Sequence, residues 1–180
     1  KIGSTRTILR VELGHRWRFL SRYLRNPNAV GAIAPSSRAL AEAVSEPYRN
    51  SNGPANVLEV GAGTGAVTRY LGTILRKGDT LDICEINHDF ADLLERDVLS
   101  NANFAPLVTQ GRAKLLRLPV QDIPSDNRYD FVISGLPLTA FELRDVQDVF
   151  EVIRRCLKPG GVFSYFEYLG MRRTSRTFAI

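Results

Sequence analysis

The 180-residue sequence predicts an α/β fold, a doubly wound and mainly parallel sheet with helices on both faces. Three observations predict it. Strand-like apolar runs alternate with helix-like amphipathic ones along the chain. The strand-like run Val57-Leu58-Glu59-Val60 leads straight into Gly61-Ala62-Gly63-Thr64-Gly65, a loop with glycine at every second position. Twenty residues after Gly65 comes Glu85, at the end of a second strand-like run, Thr80-Leu81-Asp82-Ile83-Cys84. Backbone without Cβ can take positive φ and lets a ligand lie against the main chain, and an acid so spaced can take a ribose diol, so the combination predicts a nucleotide-like ligand.

The elements follow in order. Read as a helix, residues 6–25 place Leu9, Leu13, Trp17, Leu20 and Leu24 on one arc and Arg10, Arg18, Arg22 and Arg25 on the other side, an amphipathic basic helix in which Arg6 and Arg16 must snorkel outward. Residues 1–26 carry seven basic side chains, Lys1, Arg6, Arg10, Arg16, Arg18, Arg22 and Arg25, against Glu12 alone, whereas the remaining 17 basic and 18 acidic residues nearly cancel. A polyanion or an anionic membrane surface is therefore expected to meet this segment specifically, reversibly and without spanning a bilayer. After the turn Asn26-Pro27-Asn28, Pro35 ends an extended piece and Ser36 or Ser37 caps a helix. Beyond the glycine loop the pattern predicts a helix over 66–75 stopped by Lys77-Gly78-Asp79. An Asn87-His88-Asp89 cap then precedes a helix over 90–99, with strands at 115–118 and 129–134, a helix over 146–157 and, after Lys158-Pro159-Gly160, a strand over 161–168. Ligands sit at the carboxyl edge of such a sheet.

Composition bounds the rest. A chain with 44% hydrophobic residues can bury one core. No run of eighteen apolar residues and no signal peptide is visible. Cys84 and Cys156 match no metal or redox spacing and read as core thiols of a reducing cytoplasm, so no metal is expected. The chain begins at Lys1 rather than methionine, which predicts a start inside the gene product.

In Glu59-x-Gly61-x-Gly63-x-Gly65 an acid precedes the first glycine, a placement that repels a pyrophosphate and suits a cationic ligand. This pattern resembles the S-adenosylmethionine loop of class I methyltransferases, with the likeness covering about residues 57–168. It implies a Rossmann-like methyltransferase sheet, S-adenosyl-L-methionine as cofactor, Glu59, Gly61, Gly63, Thr64 and Gly65 beside its amino-acid part, Glu85 on its ribose and Ile86 against its ring. The basic helix followed by Pro35-Ser36-Ser37 is similar to the N-terminal signature of bacterial phospholipid N-methyltransferases, which convert phosphatidylethanolamine toward phosphatidylcholine. That resemblance implies a division into a membrane-docking helix over 1–26, a cap over the cofactor at 27–52 bringing Pro35, Ser36 and Ser37 to it, and a catalytic core over 53–180. It also implies a peripheral place at the inner face of the membrane.

The loop Ser134-Gly135-Leu136-Pro137-Leu138 resembles the phospholipid family rather than the Asn-Pro-Pro-Tyr form of nucleic-acid adenine methyltransferases, which places Ser134 near the methyl acceptor with Gly135 and Leu136 lining the pocket. Class I enzymes commonly bind the adenine amino group with an aspartate after the fourth strand; here Gln121 or Asp122 could accept that bond, and an alternative registration would bring Arg112, which has no acceptor, to the same place. Tyr168, Arg172 and Arg173 are implied contacts to the substrate and its lipid phosphate. Only 169–180 remain for the antiparallel hairpin usual after the fifth strand, so that hairpin is expected to be incomplete.

A primary amine with a pKa near 10.4 is neutral in only about one part in a few thousand at pH 7, so removal of its proton, by water or by Ser134 or Tyr23, and positioning are the expected catalysis. The reading is methylation of a lipid amine. RNA adenine or small-molecule methylation is the enzyme alternative and a non-catalytic cofactor-binding protein the other; no DNA partner is expected, and RNA stays open.

Overall fold

The computed structural model describes residues 37–124, 126–138 and 141–166. Helix α1, Ser37–Val44, and a single turn α2, Glu46–Arg49, lead into strand β1, Asn56–Val60. There follow α3, Ala66–Ile74; β2, Thr80–Cys84; α4, His88–Leu94, continued by a π-helical turn, Glu95–Leu99; and α5, Ala105–Thr109. The chain then forms β3, Ala113–Leu116; a 3-10 turn, Val120–Asp122; β4, Tyr129–Ser134; α6, Leu143–Cys156; and β5, Leu157–Tyr165.

The sheet order is β3-β2-β1-β4-β5, and every described strand pair is parallel. Winding proceeds outward from β1 to β3 and then jumps back to the other side of β1 for β4. The connections leaving β1 and β4 therefore diverge to opposite faces, and the crevice between them opens at the carboxyl edge. The inner strands are buried on both sides, which is why they read as nearly unbroken apolar runs. Val57, Leu81, Ile83 and Ile133 pack under Ala41, Val44, Leu71, Leu94, Val98 and Phe104, while Leu58, Val60 and Val132 pack on Val149, Val152, Ile153 and Cys156 of α6.

The expected strand at 129–134 and the helix after the glycine loop are found where the pattern puts them. Asn87 caps α4, its Oδ1 accepting from the N–H groups of Asp89 and Phe90 at 2.9 and 3.2 Å. Other boundaries move for identifiable reasons. β3 starts at Ala113 because the Leu81 N–H donates to the Arg112 carbonyl at 2.8 Å and sets Leu81 opposite Ala113, while Leu118 lies beyond the strand and its carbonyl takes the Cys84 thiol. The Lys158-Pro159-Gly160 turn falls inside β5 instead of before it. Leu157 already pairs with Tyr129, Gly160 takes φ +78°, and the register shifts before Val162 pairs with Phe131. The basic segment 1–26 lies outside the described residues. Of segment 27–52, residues 37–52 are described, and α1 packs on α3.

At the amino edge of the sheet one carboxylate gathers the connections. Asp79, fully buried, accepts from the Tyr48 hydroxyl at 2.5 Å, the Ala55 N–H at 2.7 Å, and the N–H and Nε of Arg76 at 2.8 and 3.1 Å. Burial opposes its charge, but these donors outweigh burial and hold Asp79 below the ordinary carboxylate range. Asp79→Ala should cost about 3 kcal/mol, because the donors are left buried and unpaired, and should lower the melting temperature by about 6–12 °C. A depressed folded-state pKa means that the Asp79 contribution is complete above the unfolded value of 3.8 and is lost as pH falls through the lower folded value, so acid denaturation of Asp79→Asn should lack that component.

Candidate active site

The crevice is built around the glycine loop, and its three glycines are required for different reasons. Gly61, at φ +71°, has no room for a Cβ, which would stand 2.5 Å from Leu136 Cδ2. Gly65, at φ +83°, backs onto the Leu94 and Val98 side chains, 2.7 and 3.1 Å from where its Cβ would be. Gly63, at φ +55°, differs: a Cβ there meets nothing within 4 Å and would point into open crevice. The end of β2 holds the loop in place. The Cys84 carbonyl accepts from the Gly61 and Ala62 N–H groups at 2.9 and 3.3 Å, and Glu85 Oε2 accepts from the Gly63 N–H at 2.7 Å.

Glu85 is buried, and its Oε1 accepts from the Asn87 N–H at 2.7 Å. Burial pushes its carboxyl above the ordinary range, with the N–H groups of Asn87, Gly63 and Ile86 countering that rise. Each oxygen keeps a further lone pair, so Glu85 can hold the loop and still accept from a diol. Ile86, half-buried, follows it at the same edge.

Glu59 is the less expected member. It is buried at the carboxyl end of β1, between Ile83 and Ile133 in register, with the buried Thr68 on the first turn of α3 beside it. Burial pushes the Glu59 carboxyl up to about 7; Thr68 pulls it partway back and the Glu85 charge adds to the rise. On the other side of β1, the Gly135 N–H donates to the Val60 carbonyl at 2.8 Å, and a Cβ on Gly135 would stand 2.5 Å from the Gly61 carbonyl oxygen. Ser134 is fully buried, with Oγ accepting from the Leu136 N–H at 3.2 Å, so its hydroxyl folds into its own turn.

Gln121 sits in the 3-10 turn with both amide atoms buried and unpartnered, whereas Asp122 is exposed. A buried amide with its donor and its acceptor both unused suits a base edge that offers the complementary pair. Arg112 belongs to the opposite edge, where its Nε donates to the Asp79 carbonyl at 3.0 Å, and this overturns the registration that would bring it to the adenine. Thr64 is exposed on the loop. Tyr23, Pro35, Ser36, the side chain of Ser37, Tyr168, Arg172 and Arg173 lie outside what is described. Sequence reasoning missed Thr68, the Leu94–Val98 backing of Gly65 and the bond from Asn87 to Glu85. Only Asn87 had a signal, and that signal spoke of a helix cap. Among the described residues no group of three or more His, Cys, Asp or Glu is placed to hold a metal ion.

A family model described as a methyltransferase domain matches residues 57–161. An ornithine lipid N-methyltransferase of Singulisphaera acidiphila is 31% identical over 148 residues, covering 81% of this chain and 74% of that protein. Protein arginine N-methyltransferase 2 of Yarrowia lipolytica is 31% identical over 131 residues, 72% of this chain and 26% of its own length. The chain belongs to the S-adenosylmethionine-dependent methyltransferases, and S-adenosyl-L-methionine is its cofactor. Among solved structures it resembles a Methanococcus maripaludis protein named as such a methyltransferase, with a TM-score of 0.59 at 21% identity over 82% of this chain and 63% of that one. It also resembles 1,6-didemethyltoxoflavin-N1-methyltransferase of Burkholderia thailandensis, with a TM-score of 0.57 at 20% identity over 94% and 68%. The [4+2]-cyclase SpnF has the fold as well, with a TM-score of 0.53 at 20% identity over 71% and 43%, so the fold by itself does not name a reaction.

The open face of Gly63 and the orphaned amide of Gln121 fit that cofactor: one leaves room for a ligand against backbone and the other offers paired polar atoms to a base. Gly63→Ala should fold, losing about 1–2 kcal/mol to its positive φ, and should weaken cofactor binding more than tenfold, about 1.4 kcal/mol or more. Titration calorimetry beside thermal unfolding separates the two effects.

Proposed function

We propose that this protein transfers a methyl group from S-adenosylmethionine to the amine nitrogen of a membrane lipid, with phosphatidylethanolamine or an amino-acid lipid as acceptor. The observation that carries this reading is the direct packing of the Ser134–Leu138 loop on the glycine loop, through Gly135 on Val60 and Gly61, which supports a role for this loop, similar in form to that of the phospholipid family, beside the cofactor. The identity to an enzyme named for ornithine lipid N-methylation supports it. Segment 1–26, with its seven basic residues, is proposed to dock the chain on anionic lipid at the inner face of the membrane. No described helix is long and apolar enough to cross a membrane.

S-adenosylmethionine supplies an electrophilic methyl group. The residues supply position. Gly63 and Glu85 hold the loop open at one side, Gln121 takes the base, and Gly135 and Leu136 set the floor on which the amine approaches. Ser134, with its hydroxyl accepting from Leu136, is proposed to shape this floor and to stand near the acceptor. The amine must arrive neutral, and loss of water from its surroundings at a lipid surface favours the neutral form.

Labelled methyl should pass from S-adenosylmethionine into vesicles that mix an anionic lipid with phosphatidylethanolamine or with an ornithine lipid, and chromatography of the extracted lipid should show which of the two carries it. Label in neither lipid, from protein that binds the cofactor, would sink the lipid reading. Gln121→Ala should weaken cofactor binding about tenfold, the loss expected when a buried amide contact worth ~1.4 kcal/mol is removed, and should leave vesicle binding in a sedimentation assay unchanged.

A further inference from the structure

Two large apolar side chains that the fold leaves exposed stand at the carboxyl edge of the sheet. Leu143, at the start of α6, is 54% exposed, and Tyr165, at the end of β5, is 40% exposed. Leu143, Val146 and Phe150 recur at helical spacing on one flank of α6, beside the stripe from Val149 to Cys156 that enters the core. Phe150 then meets β5 edge to face, with its ring centroid 5.3 Å from that of Phe163 and 5.8 Å from that of Tyr165, and those two rings stack at 5.1 Å. The side chains form one apolar strip between the flank of α6 and the outermost described strand.

The strip is continuous with the Ser134–Leu138 loop. Ser134 and Tyr165 are register partners in β4 and β5. At the other end of the loop the Leu138 carbonyl accepts from the Phe141 N–H at 3.2 Å, two residues before Leu143. Leu136 and Leu138 are buried in the same cluster on which Phe141, Phe150 and Phe163 pack.

The size of the strip narrows what can cover it. The exposed parts of its side chains add up to roughly 200–300 Å², far short of the ~800 Å² that each partner contributes to a stable protein interface. From Leu143 to Phe150 the helix rises about 10 Å, the span of an extended hydrocarbon of about eight carbons. We infer that this strip holds a hydrocarbon chain of the lipid acceptor while the amine reaches the Ser134–Leu138 loop, an inference that rests on the lipid-amine reading above. Leu143 and Tyr165 flank the entry, and Phe150 and Phe163 line the strip below them. Apolar contact is non-directional, so the strip selects for the presence and length of a chain, and a water-soluble amine without one forfeits the contact.

The test is titration calorimetry of the full chain, saturated with S-adenosylhomocysteine, against single-chain phosphatidylethanolamines and N-acylornithines of about 4 to 12 carbons, kept below their aggregation concentrations. A methylene half covered by the strip tightens binding roughly twofold, against about fourfold for full burial, so affinity should climb roughly tenfold between about four and eight carbons and level off beyond. Leu143→Asn and, separately, Tyr165→Asn should each cut that gain to roughly threefold and leave S-adenosylhomocysteine binding unchanged. Val108→Asn, which replaces an exposed apolar residue on α5, should leave the gain intact. If Tyr165→Asn does not fold, Leu143→Asn, at the more exposed position, decides alone. A gain undiminished in the folded variants, or no dependence on chain length in protein that labels vesicle lipid, would overturn the inference and leave the lipid-amine reading standing. Loss of vesicle sedimentation in the variants with the chain-length gain unchanged would make the strip a contact to the bilayer surface, and a dimer lost in Leu143→Asn would make it an interface between copies; either overturns the inference. No label in vesicle lipid and no binding of any chain would remove the lipid-amine reading along with it.

Discussion

The backbones leaving β1 and β4 touch at Gly61 and Gly135, and the site depends on that contact. A side chain on either residue would lie 2.5 Å from its neighbour, from Leu136 Cδ2 in one case and from the Gly61 carbonyl in the other. Because the two strands are adjacent at the point where the sheet order reverses, their loops start side by side and then separate to opposite faces. Two loops thus share one wall. The Gly135 N–H bonded to Val60 extends the β1–β4 ladder by one step past the last paired residues, so this side of the crevice is as fixed as the sheet itself.

The opposite wall is held by charge. Glu85 bonds the glycine loop through Gly63 and the following helix through Asn87, while Asn87 caps that helix and the helix carries Leu94 and Val98 to the back of Gly65. This closed circuit runs from the end of β2 through α4 and returns to the loop. Its members lie up to 35 residues apart in sequence, from Gly63 to Val98, and they meet because parallel strands place all their carboxyl ends on one edge.

The two ends of the sheet treat carboxylates in contrary ways. At the amino edge Asp79 is surrounded by donors and held ionised, a group that ties connections together. At the carboxyl edge Glu59 and Glu85 are buried and pushed upward by desolvation. Desolvation dominates at Glu59 and Glu85, whereas at Asp79 the donors outweigh it. A fold spends its hydrogen bonds where it needs rigidity and leaves polar atoms open where a ligand is to bind.

The sequence by itself determined the parallel α/β class, the glycine loop, the acid twenty residues beyond it, the helix cap at Asn87 and the β4 strand, because each is a local matter of periodicity, backbone freedom or side-chain capping within a few residues. It also offered Gln121 and Asp122 as candidates for an adenine contact. Only the tertiary structure separated those two, burying the amide of Gln121 and exposing Asp122, and only it moved Arg112 to the far edge. It alone showed that Thr68 stands by Glu59, that Leu136 leaves no room for a side chain at position 61, and that the turn at Gly160 lies within β5. The physical reason is the same throughout. Burial, the absence of a partner and close packing are relations between residues distant in the chain, and strand order and register create them.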